Sequence, residues 1–199
     1  MTEDIRRTGR RGRTRSVLLE AAARLLEEDG IEAVTLRAVG ERAGISRQAP
    51  YNHFAAKATL LSVLAAGYLE RLGKGMAEAA EGAGENPFGK LEAMMEAYVR
   101  FALASPSRYR LIGQEMSGSP HQEVHEAARA VHARFVGAVA ACQEADELPG
   151  GDPVELAAVL FATTHGAVEL TLAGHAEEAK GLDDPATLLH ALLAQLRRD

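Results

Sequence analysis

Apolar residues recur along most of this chain every three or four positions, the spacing of one face of an α-helix. Val17, Leu18, Ala21, Ala22, Leu25 and Leu26 form the first such stripe and predict a helix from about Arg13 to Asp29, stopped by Gly30. Thr35 is placed to cap a short helix carrying Leu36, Val39 and Ala43 on one face; Gly44 ends it and Ile45 comes next as an apolar plug. Ser46 is a good N-cap for a second short helix running to Phe54. Neither short helix has enough apolar surface to be stable alone, so both need the first helix to cover them. Two short helices around a tight glycine turn make a helix-turn-helix, and the three together make a headpiece.

The same period continues to the end of the chain. A fourth helix is predicted from near Ala56 through Leu60, Leu61, Leu64 and Tyr68 to the glycines and acidic residues between Glu81 and Pro87. Leu91, Met94, Met95, Tyr98, Val99 and Phe101 mark a helix from Phe88 to Ser105, broken by Pro106, and a shorter one runs from Ser107 to Met116. Ser117 to Pro120 reads as a turn, with Pro120 opening a helix to about Ala145. After the loop from Glu147 to Gly151, Asp152 caps and Pro153 opens a long apolar helix reaching His175. Asp184 and Pro185 repeat that signal for a last helix ending at Arg197 and Arg198, whose charge complements its dipole. With no convincing strand and no internal repeat, the expectation is an all-α protein of about nine helices. Its domains would be a basic arm and headpiece over 1–57 and a helical body over 58–199, joined by the helix near 56–81.

Charge sharpens this division. The net charge is -6, but residues 1–57 hold eleven Lys or Arg against eight Asp or Glu, while the rest holds eleven against twenty. One end suits a polyanion and the other repels it. Arg6, Arg7, Arg10, Arg11, Arg13 and Arg15 read as a flexible basic arm, able to reach phosphates or a minor groove from its place before the helix-turn-helix. Arg47, Gln48, Tyr51, Asn52 and His53 give the second short helix hydrogen-bonding groups suited to base edges and phosphates. The lone Cys142 excludes an intrachain disulfide and a cysteine-cluster metal site. No apolar run approaches the roughly 18 residues that span a bilayer, and the arginine-rich start lacks a signal peptide's apolar segment. A cytoplasmic protein with no membrane partner and no cofactor is therefore expected.

The string GISRQAPYNHFAAKATLL, Gly44 to Leu61, resembles the recognition-helix signature of the TetR family of bacterial transcriptional regulators. Thr35, Ala38, Ala43, Gly44, Ser46, Tyr51, His53, Phe54, Lys57 and Leu60 stand where that signature has matching residue types. Ala38 matches only as a small residue, since an acidic one is frequent there; Ala58 departs where glutamate is common, and Pro50 falls about four residues into the recognition helix. The resemblance and the side-chain chemistry together imply that this helix enters the major groove of a double-stranded DNA operator. Arg47 and Gln48 are then the base readers, and Thr35, Tyr51, His53 and Lys57 the phosphate contacts.

A headpiece this small reads few base pairs, so a homodimer on a palindromic operator is expected. Leu156, Val159, Leu160, Thr163, Leu188, Leu192 and Leu196 on the last two helices would pair the copies in a four-helix bundle. As the resemblance implies, the other helices would enclose a pocket for a small-molecule effector whose binding releases a repressor from DNA. Tyr98, Phe101, Tyr109, Met116, Phe135, Phe161, His165 and Glu169 are its candidate walls, though such residues also serve as plain core. Ser105 to Met116 and Phe161 to Leu170 resemble the subgroup named for a Trp-His-Gly pattern, here with Phe161, His165 and Gly166. Two rival readings remain open. His121, His125 and His132 share one helix face and would suit a metal-responsive regulator. His165 and Glu169, four apart, would suit the acid and base of an enzyme, although no nucleophile or phosphate loop accompanies them.

Overall fold

A computed structural model describes residues 2–118, 121–177, 179, 181–182 and 184–198, with residues 2–11 and 118 described as backbone only. Among the described residues eight α-helices succeed one another: α1 Thr2–Asp29, α2 Leu36–Arg42, α3 Lys57–Gly82, α4 Pro87–Ala104, α5 Pro106–Gly118, α6 Gln122–Glu144, α7 Pro153–Leu172 and α8 Pro185–Leu196. Two 3-10 helices, Ile31–Ala33 and Pro50–Asn52, lie between α1 and α3. No strand occurs among the described residues, and none of their helices is long and apolar enough to cross a membrane.

The chain divides into two compact units, one of Met1–Tyr68 with Ser107–His125, the other of Leu69–Pro106 with Glu126–Asp199. In the first, Leu18, Ala22 and Leu26 of α1 are buried together with Val34, Leu36, Val39, Phe54, Leu60 and Leu64. The short α2 is stable because α1 covers its apolar face and because Thr35 caps it, its hydroxyl accepting the Ala38 N–H at 3.1 Å. Arg42 ties its far end to α1 through Glu28 at 2.6 Å and Asp29 at 3.8 Å. Arg108 of α5 joins this unit by an ion pair to Glu27 of α1, its guanidinium carbon lying 5.4 Å from the Tyr68 ring centroid.

In the second unit Leu72, Met76 and Met94 are buried with Tyr98, Phe101, Val131 and Ala138 packed on them. α7 buries Ala157, Leu160, Thr164, Ala167 and Val168, and α8 buries Leu189 and Leu193. Three proline-opened helices here start on side-chain caps: Asn86 accepts from Gly89 N–H at 2.7 Å, Asp152 from Val154 N–H at 2.8 Å and Asp184 from Thr187 N–H at 3.0 Å. Glu147 accepts the Phe88 N–H at 2.9 Å, while its own carbonyl accepts the Arg198 N–H at 3.0 Å. The Arg197 guanidinium lies 4.6 Å from the Phe88 ring centroid. The end of the chain is thereby fastened to the start of α4.

Several expectations are corrected. The stretch read as a flexible basic arm is helical from Thr2, because no proline interrupts it and arginine is a good helix former; the side chains of Arg6, Arg7, Arg10 and Arg11 lie outside the described ones. The second short helix of the headpiece is replaced by turns and the Pro50–Asn52 3-10 helix, which lowers the α-helix count among the described residues to eight. α7 ends at Leu172 instead of His175, where Gly174 takes a φ of 75° and the His175 N–H turns back to the Leu170 carbonyl at 2.8 Å. The expected start at Pro120 lies outside the described residues; α6 is observed from Gln122.

Candidate nucleic-acid interface

The segment between α2 and α3 carries most of the predicted chemistry. Gly44, at φ 65°, turns the chain in the left-handed region that glycine enters freely, and the Ile45 N–H bonds the Gly40 carbonyl at 3.2 Å. Beyond this turn the backbone is held by bonds to the third residue back, from Ala49 N–H to Ser46 O at 3.0 Å and from Asn52 N–H to Ala49 O at 3.2 Å. Pro50 is the physical reason no α-helix forms here. It has no N–H for a carbonyl four residues back, and its ring crowds that carbonyl. The ring is instead buried against Gly40, where a Cβ would lie 2.9 Å from Pro50 Cγ. Glycine at 40 and proline at 50 thus lock α2 to the segment after it.

This lock decides which side chains face outward. Phe54 is 1% exposed, with the Arg15 guanidinium 5.5 Å from its ring centroid. Tyr51 is 53% exposed, and Arg47, Gln48 and Asn52 are exposed beside it in sequence. His53 is half-buried, its ring tilted against that of Phe54. Thr35 spends an oxygen lone pair on its cap and keeps a hydroxyl proton to donate. Lys57, the first residue of α3, has its Nζ 3.4 Å from a Glu32 carboxylate that is 90% exposed. A phosphate could compete for this ammonium with the help of the α3 dipole.

Arg37, the second residue of α2, was not among the predicted residues. Its Nε donates to Glu41 at 2.9 Å, and both side chains are largely exposed. That hydrogen bond and the Glu41 charge push the guanidinium above its ordinary pKa, with Tyr51 adding in the same direction. The available signal was the four-residue spacing of Arg37 and Glu41, which places them on one helix face.

In the second unit the structure brings together three of the eight effector candidates. The Tyr98 hydroxyl and His165 Nδ1 are 2.9 Å apart. Phe161 stacks on the His165 ring with centroids 5.3 Å apart and meets the Tyr98 ring at 5.7 Å. Phe101 packs beside Tyr98 on the Leu72, Met76 and Met94 core. Phe135 is buried on α6, whereas Glu169 is exposed. Tyr109 and Met116 belong to α5 and the first unit, the former buried and the latter 38% exposed. A groove of about 440 Å³ between α3 and α6, floored by Leu69, Gly73, Ala77, Ala127, Ala130 and Val131, is lined by none of the eight. Gly73 lets α6 come close there, since a Cβ on it would lie 3.1 Å from Val131 Cγ2.

The family described as "Bacterial regulatory proteins, tetR family" matches residues 18–64, and that described as "Tetracyclin repressor-like, C-terminal domain" matches residues 91–196. The chain belongs to the TetR family. Among solved structures, a protein of unknown function from Rhodococcus sp. RHA1 is 32% identical with a TM-score of 0.81, the match covering 92% of each chain. SmeT, the repressor of the Stenotrophomonas maltophilia multidrug efflux pump SmeDEF, shares the fold at 24% identity and a TM-score of 0.67, over 93% of this chain and 91% of SmeT. RolR in complex with resorcinol shares it at 19% identity and a TM-score of 0.68, over 94% of this chain and 89% of RolR. Comparison with curated proteins finds no match.

TetR-family membership makes the outward faces of α7 and α8 relevant. Of the seven residues predicted for a dimer interface, Leu160 is fully buried within the protomer and Leu156, Leu188, Leu192 and Leu196 are half-buried. Val159 is 54% exposed, and Thr163 is also exposed, its hydroxyl donating to the Val159 carbonyl at 2.9 Å. Val154, Phe161 and Leu170 are further large exposed apolar groups on α7, outside the seven predicted residues. Their signal was a helix apolar on every side, more than one protomer core can absorb. His121 and His125 are half-buried and His132 is exposed. Among the described residues no group of three or more His, Cys, Asp or Glu is arranged to hold a metal ion.

Proposed function

We propose that this TetR-family regulator is a repressor that binds a palindromic DNA operator as a homodimer and is released by a small-molecule inducer. The observation that carries the DNA reading is the outward row of Arg47, Gln48, Tyr51 and Asn52 on a segment whose Pro50 and Phe54 are locked inside. Arg47 and Gln48 meet base edges, while Thr35, Tyr51, His53 and Lys57 bind phosphates and set the register. Dimerisation through α7 and α8 is supported by exposed Val154, Val159 and Leu170, apolar groups that a lone protomer leaves in water. The half-buried Leu188, Leu192 and Leu196 belong to the same interface.

The effector site is built around Tyr98, Phe161 and His165, whose stacked rings and hydroxyl–imidazole bond suit a planar ligand with a hydrogen-bonding edge. Phe101 and Phe135 support it. That a relative of the same fold is seen with resorcinol, a planar diphenol, agrees with this chemistry. Release is a population shift: the inducer binds better to a form whose two headpieces no longer match successive major grooves. The test is selection of bound fragments from random duplex DNA, then titration with small planar phenols. Recovery of no enriched palindrome would refute operator binding, and a Tyr98→Ala variant that responds to the same phenol as wild type would refute the pocket.

A further inference from the structure

Polar bonds hold α4 on two sides. On one, the Tyr98 hydroxyl meets His165 Nδ1 of α7 at 2.9 Å. Glu96, two residues earlier and so about 200° round the helix, lies on the opposite flank. Its Oε1 is 2.8 Å from His190 Nε2 of α8, while its Oε2 accepts from Arg100 Nη1 at 3.2 Å. Glu92, one turn earlier, brings a second carboxylate to 3.9 Å from the same His190 nitrogen. An ionised carboxylate only accepts, so Nε2 is the donor. The two helices are fastened again where the Arg197 guanidinium lies 4.6 Å from the Phe88 ring centroid. These two pairs, Phe88 with Arg197 and Glu96 with His190, set α8 antiparallel along the first half of α4 and packed on it.

Apolar packing fixes the rotation of α4 only weakly near Tyr98. Tyr98 and Phe101 rest on Leu72, Met76 and Met94. Two of these three are unbranched thioethers, which fill space in many conformations and yield when a neighbouring helix turns. Phe161, the ring that meets Tyr98 from α7, is 44% exposed and so is backed partly by water. The Tyr98–His165 bond is far less tolerant, because a shift of about 1 Å carries it beyond hydrogen-bond range. The His190–Glu96 pair is partly exposed on both sides, and a pair of that kind adds little to stability. Its effect is geometric: it holds α4 from the flank that Tyr98 leaves open.

We propose that His190 is a positioning residue of the effector site: through Glu96 it holds α4 at the rotation that brings the Tyr98 hydroxyl to His165. The same bond joins α4 to α8, the helix that carries Leu188, Leu192 and Leu196 of the proposed dimer interface. A ligand that inserts between Tyr98 and His165 turns α4, and Glu96 with His190 passes that turn to α8. This inference rests on the effector-site reading above.

The experiment uses the full-length protein, titrated with phenol and with catechol by calorimetry, and a duplex recovered by wild type from a random pool, followed by anisotropy with and without saturating phenol. His190→Ala, His190→Gln, Tyr98→Phe and the His190→Ala/Tyr98→Phe double variant are compared with wild type. His190→Ala is expected to weaken phenol binding by about fivefold, the most that a partly exposed pair carries, and to shift the His165 ring nitrogen resonances without ligand. His190→Gln, which keeps an N–H donor for Glu96, should restore both. In the Tyr98→Phe background, where no hydroxyl is left to position, His190→Ala should have no further effect on phenol affinity. The factor by which phenol releases the duplex should also fall about fivefold in His190→Ala; undiminished release would overturn the transmission to α8. Unchanged His165 resonances, an effect that persists without the Tyr98 hydroxyl, or a fall in melting temperature with phenol affinity intact would overturn the positioning role. A His190→Ala protein that sediments as a monomer while wild type is a dimer would make His190 an interface residue and overturn it as well. If wild type binds neither phenol nor catechol, the effector reading fails and this inference with it, whereas the preceding outcomes overturn this inference alone.

Discussion

Gly40→Ala is the substitution that most directly tests the architecture of the headpiece. The new methyl would lie 2.9 Å from Pro50 Cγ and 3.4 Å from Cδ. The first distance is about 0.6–1.1 Å inside the range of favourable carbon contact. A proline ring is closed, so the strain passes to the chain from Gly44 to Asn52. Overpacking of this kind costs about 1–3 kcal/mol. Alanine returns up to about 1 kcal/mol as a better helix former than glycine. The expected net loss is therefore about 1 kcal/mol, a drop in melting temperature of roughly 2–4 °C for a chain of this length. Gly75→Ala is the control, since that glycine lies within α3 with nothing within 4 Å of its Cβ position, and it should gain up to about 1 kcal/mol. Both are measured by urea and thermal unfolding and by anisotropy on a selected duplex. Gly40→Ala should also weaken binding to that duplex by tenfold or more, on the scale of roughly 1.4 kcal/mol, because it displaces Tyr51 and Asn52. Pro50→Ala, which removes the opposing ring carbons, should recover part of the lost binding in the Gly40→Ala background. If Gly40→Ala proved as stable as Gly75→Ala and bound the duplex like wild type, the Gly40–Pro50 lock would be refuted.

Individual contacts elsewhere lead to three more expected outcomes. Asp184→Ala removes the cap of α8 at Thr187 N–H and should cost about 1 kcal/mol in urea unfolding, whereas Asp184→Asn should be close to neutral. Val159→Glu should make the protein monomeric by sedimentation at micromolar concentration while leaving its melting temperature almost unchanged, because Val159 is 54% exposed in the protomer; a persistent dimer would place the interface elsewhere. Burial, helped by the Glu147 charge, pushes the Cys142 thiol up from 9.0 to about 11. The folded state then favours the protonated thiol, so this contribution to stability is fully present below pH 9.0 and is lost as pH rises towards 11. Cys142→Val should show less of this alkaline loss, and the native thiol should resist a disulfide reagent at about pH 8 until urea exposes it.

The all-α class was legible because apolar period, proline and capping residues agreed along most of the chain. Asp152 with Pro153 and Asp184 with Pro185 start helices as expected, and both carboxylates make the cap bonds that their position implied. The recognition segment was legible as a site but not as a shape. Ser46 to Phe54 carries helical spacing, yet Pro50 is drawn into contact with Gly40, and residue identity alone does not show that this contact exists. The effector candidates divided for a similar reason. Tyr98 of α4 is far in sequence from Phe161 and His165, which lie one turn apart on α7, and meets them only through packing, while Tyr109 and Met116, equally plausible by composition, fall in the other unit.

What the sequence determined by itself was local. Periodicity chose helix over strand, polar N-caps and prolines placed helix starts, and the string from Gly44 to Leu61 pointed to the family on its own. The tertiary structure decided which face of each helix is left in water. Leu160 and Val159 are adjacent and both aliphatic, but one is wholly buried and the other 54% exposed. Arg42 and Arg37 are both arginines of one short helix, but one is spent on α1 and the other pairs with Glu41 on the exposed face of its own helix. The physical reason is common to both pairs. Helical propensity is a property of each residue and its near neighbours, whereas burial and charge pairing depend on partners far away in sequence that only folding brings close.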